Sequence, residues 1–257
     1  MRRFTTLVVA ALVIVGLAGC AQTSSSDAAS QAQSEPLIVF AAASLQSSFD
    51  ELAEAFEAAH PEYPVGDIRY DGSQALAAQL VDGADVDVIA FANESSIAPL
   101  IDAGVADDST IFATNTLRIA VAPGNPKAVT ELSDLASDEL TVVLCAPEVP
   151  CGAASQMLLE DAGVDVTAAS EETNVTSVVR RISDGEADAG LVYTTDVQAA
   201  DGTLEGITPD NVDVAVNRYP LAVATSAPSA DAAAAFAAFV LSDAGQAILA
   251  DHGFGAP

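Results

Sequence analysis

Apolar positions along the chain change period repeatedly, from the continuous run of a buried strand to the three-and-four spacing of a helix with one buried face. In "LIVFAAASLQSSFDELAEAF", residues 37–42 form a strand-like run. Apolar residues then recur at Leu45, Phe49, Leu52, Ala53 and Phe56, which predicts a helix over 45–59 ending at "HPEYP". The same alternation predicts a strand at 66–70 and a helix at 74–81, a strand at 86–91 and a helix at 94–102, and strands at 116–124 and 140–147. It continues with helices at 152–161 and 174–182, strands at 187–193 and 219–225, and closing helices at 229–240 and 243–251. Strand and helix in turn predict an α/β fold whose sheets are mainly parallel and flanked by helices. Two long extended segments, 113–122 and 212–224, carry few helix signals and suit crossovers between two lobes. On that reading 36–115 plus 219–257 form lobe 1 and 116–218 form lobe 2.

The chain begins differently. Arg2 and Arg3 precede a short apolar stretch, Leu7 to Leu17, that ends in small residues before Cys20, so 1–19 reads as a signal peptide too short for a comfortable membrane span. "LAGC" at 17–20 resembles the lipobox of bacterial lipoproteins, which implies cleavage before Cys20, a lipid on its sulfur and anchoring to the outer face of the cytoplasmic membrane. Residues 20–35 have no apolar period and read as a flexible tether.

Charge then narrows the partners. The full chain carries 8 basic and 37 acidic residues, a formal charge of -29. Loss of the leader removes two arginines and leaves -31. Nucleic acid and anionic membrane surfaces are excluded as partners by that field, so contact with the membrane is expected through the lipid alone. Most of the acids fall at turns and on polar faces, as a solvated surface requires.

Catalytic signals are sparse. The two histidines, His60 and His252, stand at helix ends; no "GxSxG" surrounds a serine, and neither metal-ligand spacings nor phosphate-loop patterns occur. Carboxylate pairs are too numerous to inform, so a secreted hydrolase using Ser44 or two acids stays open as an alternative. Cys145 and Cys151 flank "APEVP" and, outside the cytosol, can oxidise to a disulfide; no further cysteine or nearby histidine completes a metal set. Small or hydroxylic residues mark four junctions that lead into helices, at Ser44, Gly72-Ser73, Cys151-Gly152 and Asn174-Val175. At the carboxyl ends of parallel strands such junctions bind ligands, and the free N–H groups of a helix start suit an anion. Singly, Ser44 and Ser73 read as helix caps, Tyr193 as a strand-end aromatic and Val175 as a core residue.

"VFAAASL" (39–45), "DGSQALAAQL" (71–80), "PEVPCGAA" (147–154), "NVTSVVRRISDGEADAGLVYTTD" (174–196) and the ending "LSDAGQAILADHGF" together resemble the periplasmic molybdate-binding proteins of ABC transporters. The resemblance spans nearly all of 36–257 and implies a two-lobed type II solute-binding fold with a ligand cleft between the lobes. It implies molybdate or tungstate as ligand, a membrane permease as partner, a monomer, no catalysis, no cofactor and no metal cation. The same fold binding sulfate, another oxyanion or a small organic acid is the nearest alternative. By resemblance, hydroxyl and N–H of Ser44 and Ser73, the N–H of Cys151 (alanine in many relatives), the N–H of Val175 and the phenol of Tyr193 hold the oxyanion.

Overall fold

The computed structural model describes residues 35–257. The leader expected over 1–19, the lipid-bearing Cys20 and the tether as far as residue 34 lie outside the described residues. In chain order the strands are β1 (Val39–Ala42), β2 (Arg69–Asp71), β3 (Val88–Ala90), β4 (Thr110–Asn115), β5 (Leu117–Val121), β6 (Val142–Cys145), β7 (Ser170–Glu172), β8 (Ala189–Tyr193), β9 (Glu205–Ile207) and β10 (Asn217–Val223). The helices are α1 (Gln46–Ala59), α2 (Ser73–Val81), α3 (Glu94–Asp102), α4 (Pro150–Ala162), α5 (Val175–Ser183), α6 (Thr194–Ala199), α7 (Ala230–Leu241) and α8 (Asp243–Asp251).

Two five-stranded sheets result, ordered β2-β1-β3-β10-β4 and β7-β6-β8-β5-β9. In the first, β1 pairs parallel with β2 and β3, whereas β10 lies antiparallel between β3 and β4. In the second, β6 pairs parallel with β7 and β8, and β5 lies antiparallel between β8 and β9. Each sheet therefore runs one way except for a single reversed strand, and that strand is where the chain enters or re-enters the sheet. The chain passes from the first sheet to the second at Thr116, between β4 and β5, and returns into β10 after a short 3-10 turn at Val212–Ala215.

Strands β1, β3, β6 and β8 are buried along their whole length, as strands covered on both faces must be. On one face of the first sheet α1 presents Phe49, Leu52 and Phe56, spaced at helical period, to a cluster that includes Phe112, Tyr219, Phe236 and Phe254. On the other face, Leu76, Leu80, Ile97 and Leu100 from α2 and α3 pack with Ile89 and Phe91. α4 and α5 close the second sheet with Leu158, Leu159, Val178 and Ile182. Seven of the twelve residues of helix α7 are alanine, and it buries Ala232, Ala233, Phe236 and Val240. Small side chains there let the helix lie close to its neighbours, so a chain with only 5% aromatic residues still fills its core.

Not every acid lies at the surface. Asp87 is fully buried, and its two oxygens accept the N–H groups of Ile38 and Ser229 at 2.8 and 2.7 Å, tying β1 to the approach into α7. A disulfide joins Cys145, at the end of β6, to Cys151 in the first turn of α4. Beside it stands Gly152, where a Cβ would collide with the carbonyl oxygen of Ala146. The turn from β6 into α4 is thus too compact to admit a side chain at Gly152.

Candidate functional site

Four helix starts converge on one small cavity, of about 10 Å³, lined by Ala42 to Ser44, Asp71 to Ser73, Ala92, Val149 to Cys151, Asn174, Val175 and Tyr193. The first sheet contributes the starts of α1 and α2; the second contributes those of α4 and α5 and the end of β8. Ser44, Ser73, Cys151, Val175 and Tyr193 therefore share one lining, although 149 positions separate the first from the last. N–H groups in a first helical turn have no acceptor within their own helix, so those of Ser73, Cys151 and Val175 are available to a ligand.

Neither serine is a cap. No side-chain capping bond forms at the starts of the turn containing Ser44, of α1 or of α2. The Ser44 hydroxyl instead lies 3.0 Å from the Tyr219 hydroxyl, and Ser73 Oγ accepts the N–H of Ala92 at 3.0 Å. With its lone pair engaged from behind, the Ser73 hydroxyl keeps its proton for the cavity. Capping at α5 falls to Asn174, whose Oδ1 accepts the Ser177 N–H at 3.0 Å. Val175 is left to offer its backbone.

Tyr193 is buried, and its hydroxyl has no hydrogen-bond partner at bonding geometry. Burial raises its pKa well above that of an ordinary phenol, and the nearby Tyr219 and Asp196 add to the effect. It is a neutral donor at any physiological pH, awaiting an acceptor. An orphaned buried donor is costly, by about 1–3 kcal/mol, and a ligand oxygen would relieve it.

Among the described residues no lysine or arginine lines the cavity. The one charged residue in the wall is Asp71, and its Oδ1 is occupied by the Gly72 N–H at 2.7 Å and by Asn174 Nδ2 at 3.1 Å. The Asp71-Asn174 bond crosses from one sheet's domain to the other, as does Gln74 Nε2 to the Thr173 carbonyl at 2.9 Å. Gln198 Nε2 reaches the Asp251 carbonyl at 2.6 Å, and Asn115 Nδ2 reaches Thr195 Oγ1 at 2.9 Å, so the two halves are latched together on several sides. Among the described residues no cluster of three histidine, cysteine or acidic side chains could hold a metal ion.

Sequence reasoning missed Asp71, Asn115 and Tyr219 as parts of the site, and named Asn174 only for its junction with Val175. "DGS" and "TNVTSV" put Asp71 and Asn174 beside residues already singled out as donors. Nothing in the sequence around Tyr219 points to Ser44, since 175 positions lie between the two hydroxyls.

Asp196, third residue of α6, accepts the Tyr193 N–H at 2.8 Å. It keeps some solvent-facing surface, yet its carboxyl is packed closely enough that desolvation pushes its pKa up to about 7, the bond from Tyr193 offsetting part of this. An acid that holds its proton more tightly folded than unfolded contributes stability that falls as pH rises from about 4 to about 7. Asp196→Asn, which can still accept the N–H, is expected to melt with the wild type near pH 4. It should be the more stable at pH 8, by roughly 1–3 kcal/mol. Urea unfolding across that range checks it; a gap that stays constant or narrows with pH would show that the carboxylate carries no such penalty.

The geometry places a small donor-lined cavity between the two sheets, and the chain belongs to the bacterial extracellular solute-binding protein family, whose model matches residues 37–255. Over 256 residues, 98% of both chains, it is 38% identical to the molybdate-binding protein ModA of Mycobacterium tuberculosis. A putative ABC transporter substrate-binding lipoprotein of Bacillus subtilis, YvgL, is 28% identical over 98% of each chain. Among solved structures, the periplasmic molybdate-binding protein of Azotobacter vinelandii superposes with a TM-score of 0.72 at 22% identity, over 86% of this chain and 99% of that one. The sulfate-binding protein SubI of Mycobacterium tuberculosis gives 0.75 at 23%, over 85% and 86%. At such identities these two superpositions speak for the fold alone.

Proposed function

We propose that the protein captures molybdate or tungstate between its lobes, 36–115 with 219–257 and 116–218, and delivers it to an ABC permease. Exported by its leader and held at the outer face of the cytoplasmic membrane through lipidated Cys20, it acts as a monomer that binds and does not turn over its ligand. Hydroxyl and N–H of Ser44 and Ser73, the N–H groups of Cys151 and Val175 and the Tyr193 phenol hold the oxyanion. Support comes from the likeness to ModA over the whole chain. The observation that carries the reading is the unsatisfied Tyr193 hydroxyl facing a set of neutral donors in a cavity with no cation.

The cavity, about 10 Å³, is far smaller than the roughly 300–1,000 Å³ that drug-sized ligands fill, which favours a small ion over an organic acid. The five ligand-facing groups all donate, which favours a fully deprotonated oxyanion; the one acid in the wall, Asp71, has its Oδ1 engaged by Gly72 and Asn174. Monohydrogen phosphate is rejected on that ground, and sulfate by size. Catalysis has no support from the site: the Ser44 hydroxyl meets a phenol rather than a base, while His60 and His252 lie beside Glu62 and Glu51, away from the cavity.

The test is a thermal-shift series on the full-length protein with molybdate, tungstate, sulfate and phosphate at equal concentration and ionic strength. A ligand at a hundred times its dissociation constant adds about 2.7 kcal/mol of stability. Shifts with molybdate and tungstate alone are expected. A larger shift with sulfate, or none with any anion, would overturn the assignment of cargo.

A further inference from the structure

Behind the cavity, a buried chain of polar groups runs Thr195, Asn115, Tyr219, Ser44, and only its last member faces the site. Asn115 Oδ1 accepts the Thr116 N–H at 3.0 Å, which fixes which end of its amide is the donor. The two N–H bonds of Nδ2 then point to Thr195 Oγ1 at 2.9 Å and, more weakly, to the Tyr219 hydroxyl oxygen at 3.4 Å. Tyr219 thus already accepts from behind. Its own proton has the Ser44 oxygen, at 3.0 Å, as its partner. Were Ser44 to donate to Tyr219 instead, the phenol would accept twice and its buried O–H would have to turn to the neighbouring Tyr193 hydroxyl, which does not stand at bonding geometry.

From this we infer that Tyr219, with Asn115 behind it, is a positioning residue that sets the direction of the Ser44 hydroxyl. Tyr219 donates to Ser44 Oγ, so Ser44 donates into the cavity and cannot turn to accept. Burial raises the pKa of Tyr219, which keeps the relay proton in place. Asn115 closes β4 just before the crossover, and its partner Thr195 belongs to α6 on the other side of it. The amide that starts the relay is therefore held by a contact between the lobes. The specificity that follows is chemical: Ser44 is matched to an oxygen that bears no proton. The inference rests on the proposed oxyanion site and adds two residues to it that touch no ligand.

A double-mutant cycle on the full-length protein decides it, with molybdate affinity measured calorimetrically for wild type, Tyr219→Phe, Ser44→Ala and the pair. Phenylalanine keeps the ring against Phe112, Tyr193 and Phe254, and melting without anion checks the fold. Tyr219→Phe is expected to weaken binding tenfold or more alone and less than twofold when Ser44 is already alanine. An equal loss in both backgrounds, or none in either, would overturn the relay.

Asn115→Asp gives a second reading should Tyr219→Phe fold poorly. It keeps the acceptor for Thr116 but draws the Tyr219 proton away, so Ser44 must donate backwards. More than half of its loss in affinity should vanish with Ser44→Ala; a loss that persists in full would count against the relay. If the wild type ignores molybdate yet binds sulfate, the cargo reading fails and the same cycle with sulfate still decides the relay. Binding of neither anion overturns both.

Discussion

Replacing Gly72 by alanine is expected to cost about a hundredfold or more in molybdate affinity, roughly 3 kcal/mol, while the unliganded protein unfolds nearly as the wild type does. Gly72 has φ -58° and ψ 133°, a conformation open to alanine, so its own lobe gains no backbone strain. The obstacle is across the cleft. A Cβ on Gly72 would collide with the carbonyl oxygen of Thr173, which belongs to the facing domain, and would also press on the Gln74 amide at 2.7 Å. The glutamine side chain can swing aside; the backbone carbonyl cannot without parting the lobes. That separation breaks the Gln74-Thr173 and Asp71-Asn174 bonds and withdraws Val175 from any ligand held by Ser73. On the proposed reading closure and binding are one equilibrium, so a substitution that penalises only the closed form lowers affinity. Calorimetric titration beside urea unfolding of the free protein separates the two effects. Full affinity in Gly72→Ala would mean that the ligand is held without this approach of the lobes.

Ser73→Ala is the second large effect, and it differs in kind. It removes a hydroxyl donor to a charged ligand, which costs about 2 kcal/mol or more of binding, or at least thirtyfold. It also orphans the buried N–H of Ala92, so the free protein should lose about 1–3 kcal/mol of stability. Ser44→Ala should match it in affinity and in stability too, because the buried Tyr219 O–H loses the Ser44 oxygen it donates to. Retained affinity in both variants would remove both serines from the site. Unequal stability losses would mean that the two hydroxyls are not supported alike.

The acidity of the chain does not oppose a dianion as strongly as its size suggests. A unit charge 20 Å away repels a dianion by about 0.4 kcal/mol in water, and screening over about 8 Å cuts that roughly tenfold, so thirty such charges cost on the order of 1 kcal/mol. Several charge-assisted hydrogen bonds at roughly 1.5–3 kcal/mol each outweigh it. The field acts on the rate of capture more than on holding.

Much of this was legible in the order of the residues. The periods of Leu37 to Phe56 marked β1 and α1; small and hydroxylic residues at Ser44, Ser73, Cys151 and Val175 marked the junctions where a helix start lies open. Such signals are local, set by backbone geometry within a turn or two, and so they survive in a single sequence. Strands β7 and β9, three residues each at the edges of their sheet, were not foreseen, because short edge strands carry too little apolar alternation to register. β4 was seen only as part of an extended crossover, and α6 was missed because six residues give no helical period.

What the fold alone decided is which hydroxyl faces which. Asp87 holds two N–H groups 49 and 142 positions away; Tyr219 reaches Ser44 across 175. Hydrogen bonds of that span depend on how the sheets stack and where the chain crosses between them, and no nearby residue records the match. The sequence by itself determined that four helix starts would offer donors at the ends of strands. Tertiary packing brought those starts to one cavity and left Tyr193 without a partner in it. Burial there, in a place without a cation, keeps an ordinary phenol protonated as a donor at the cavity wall.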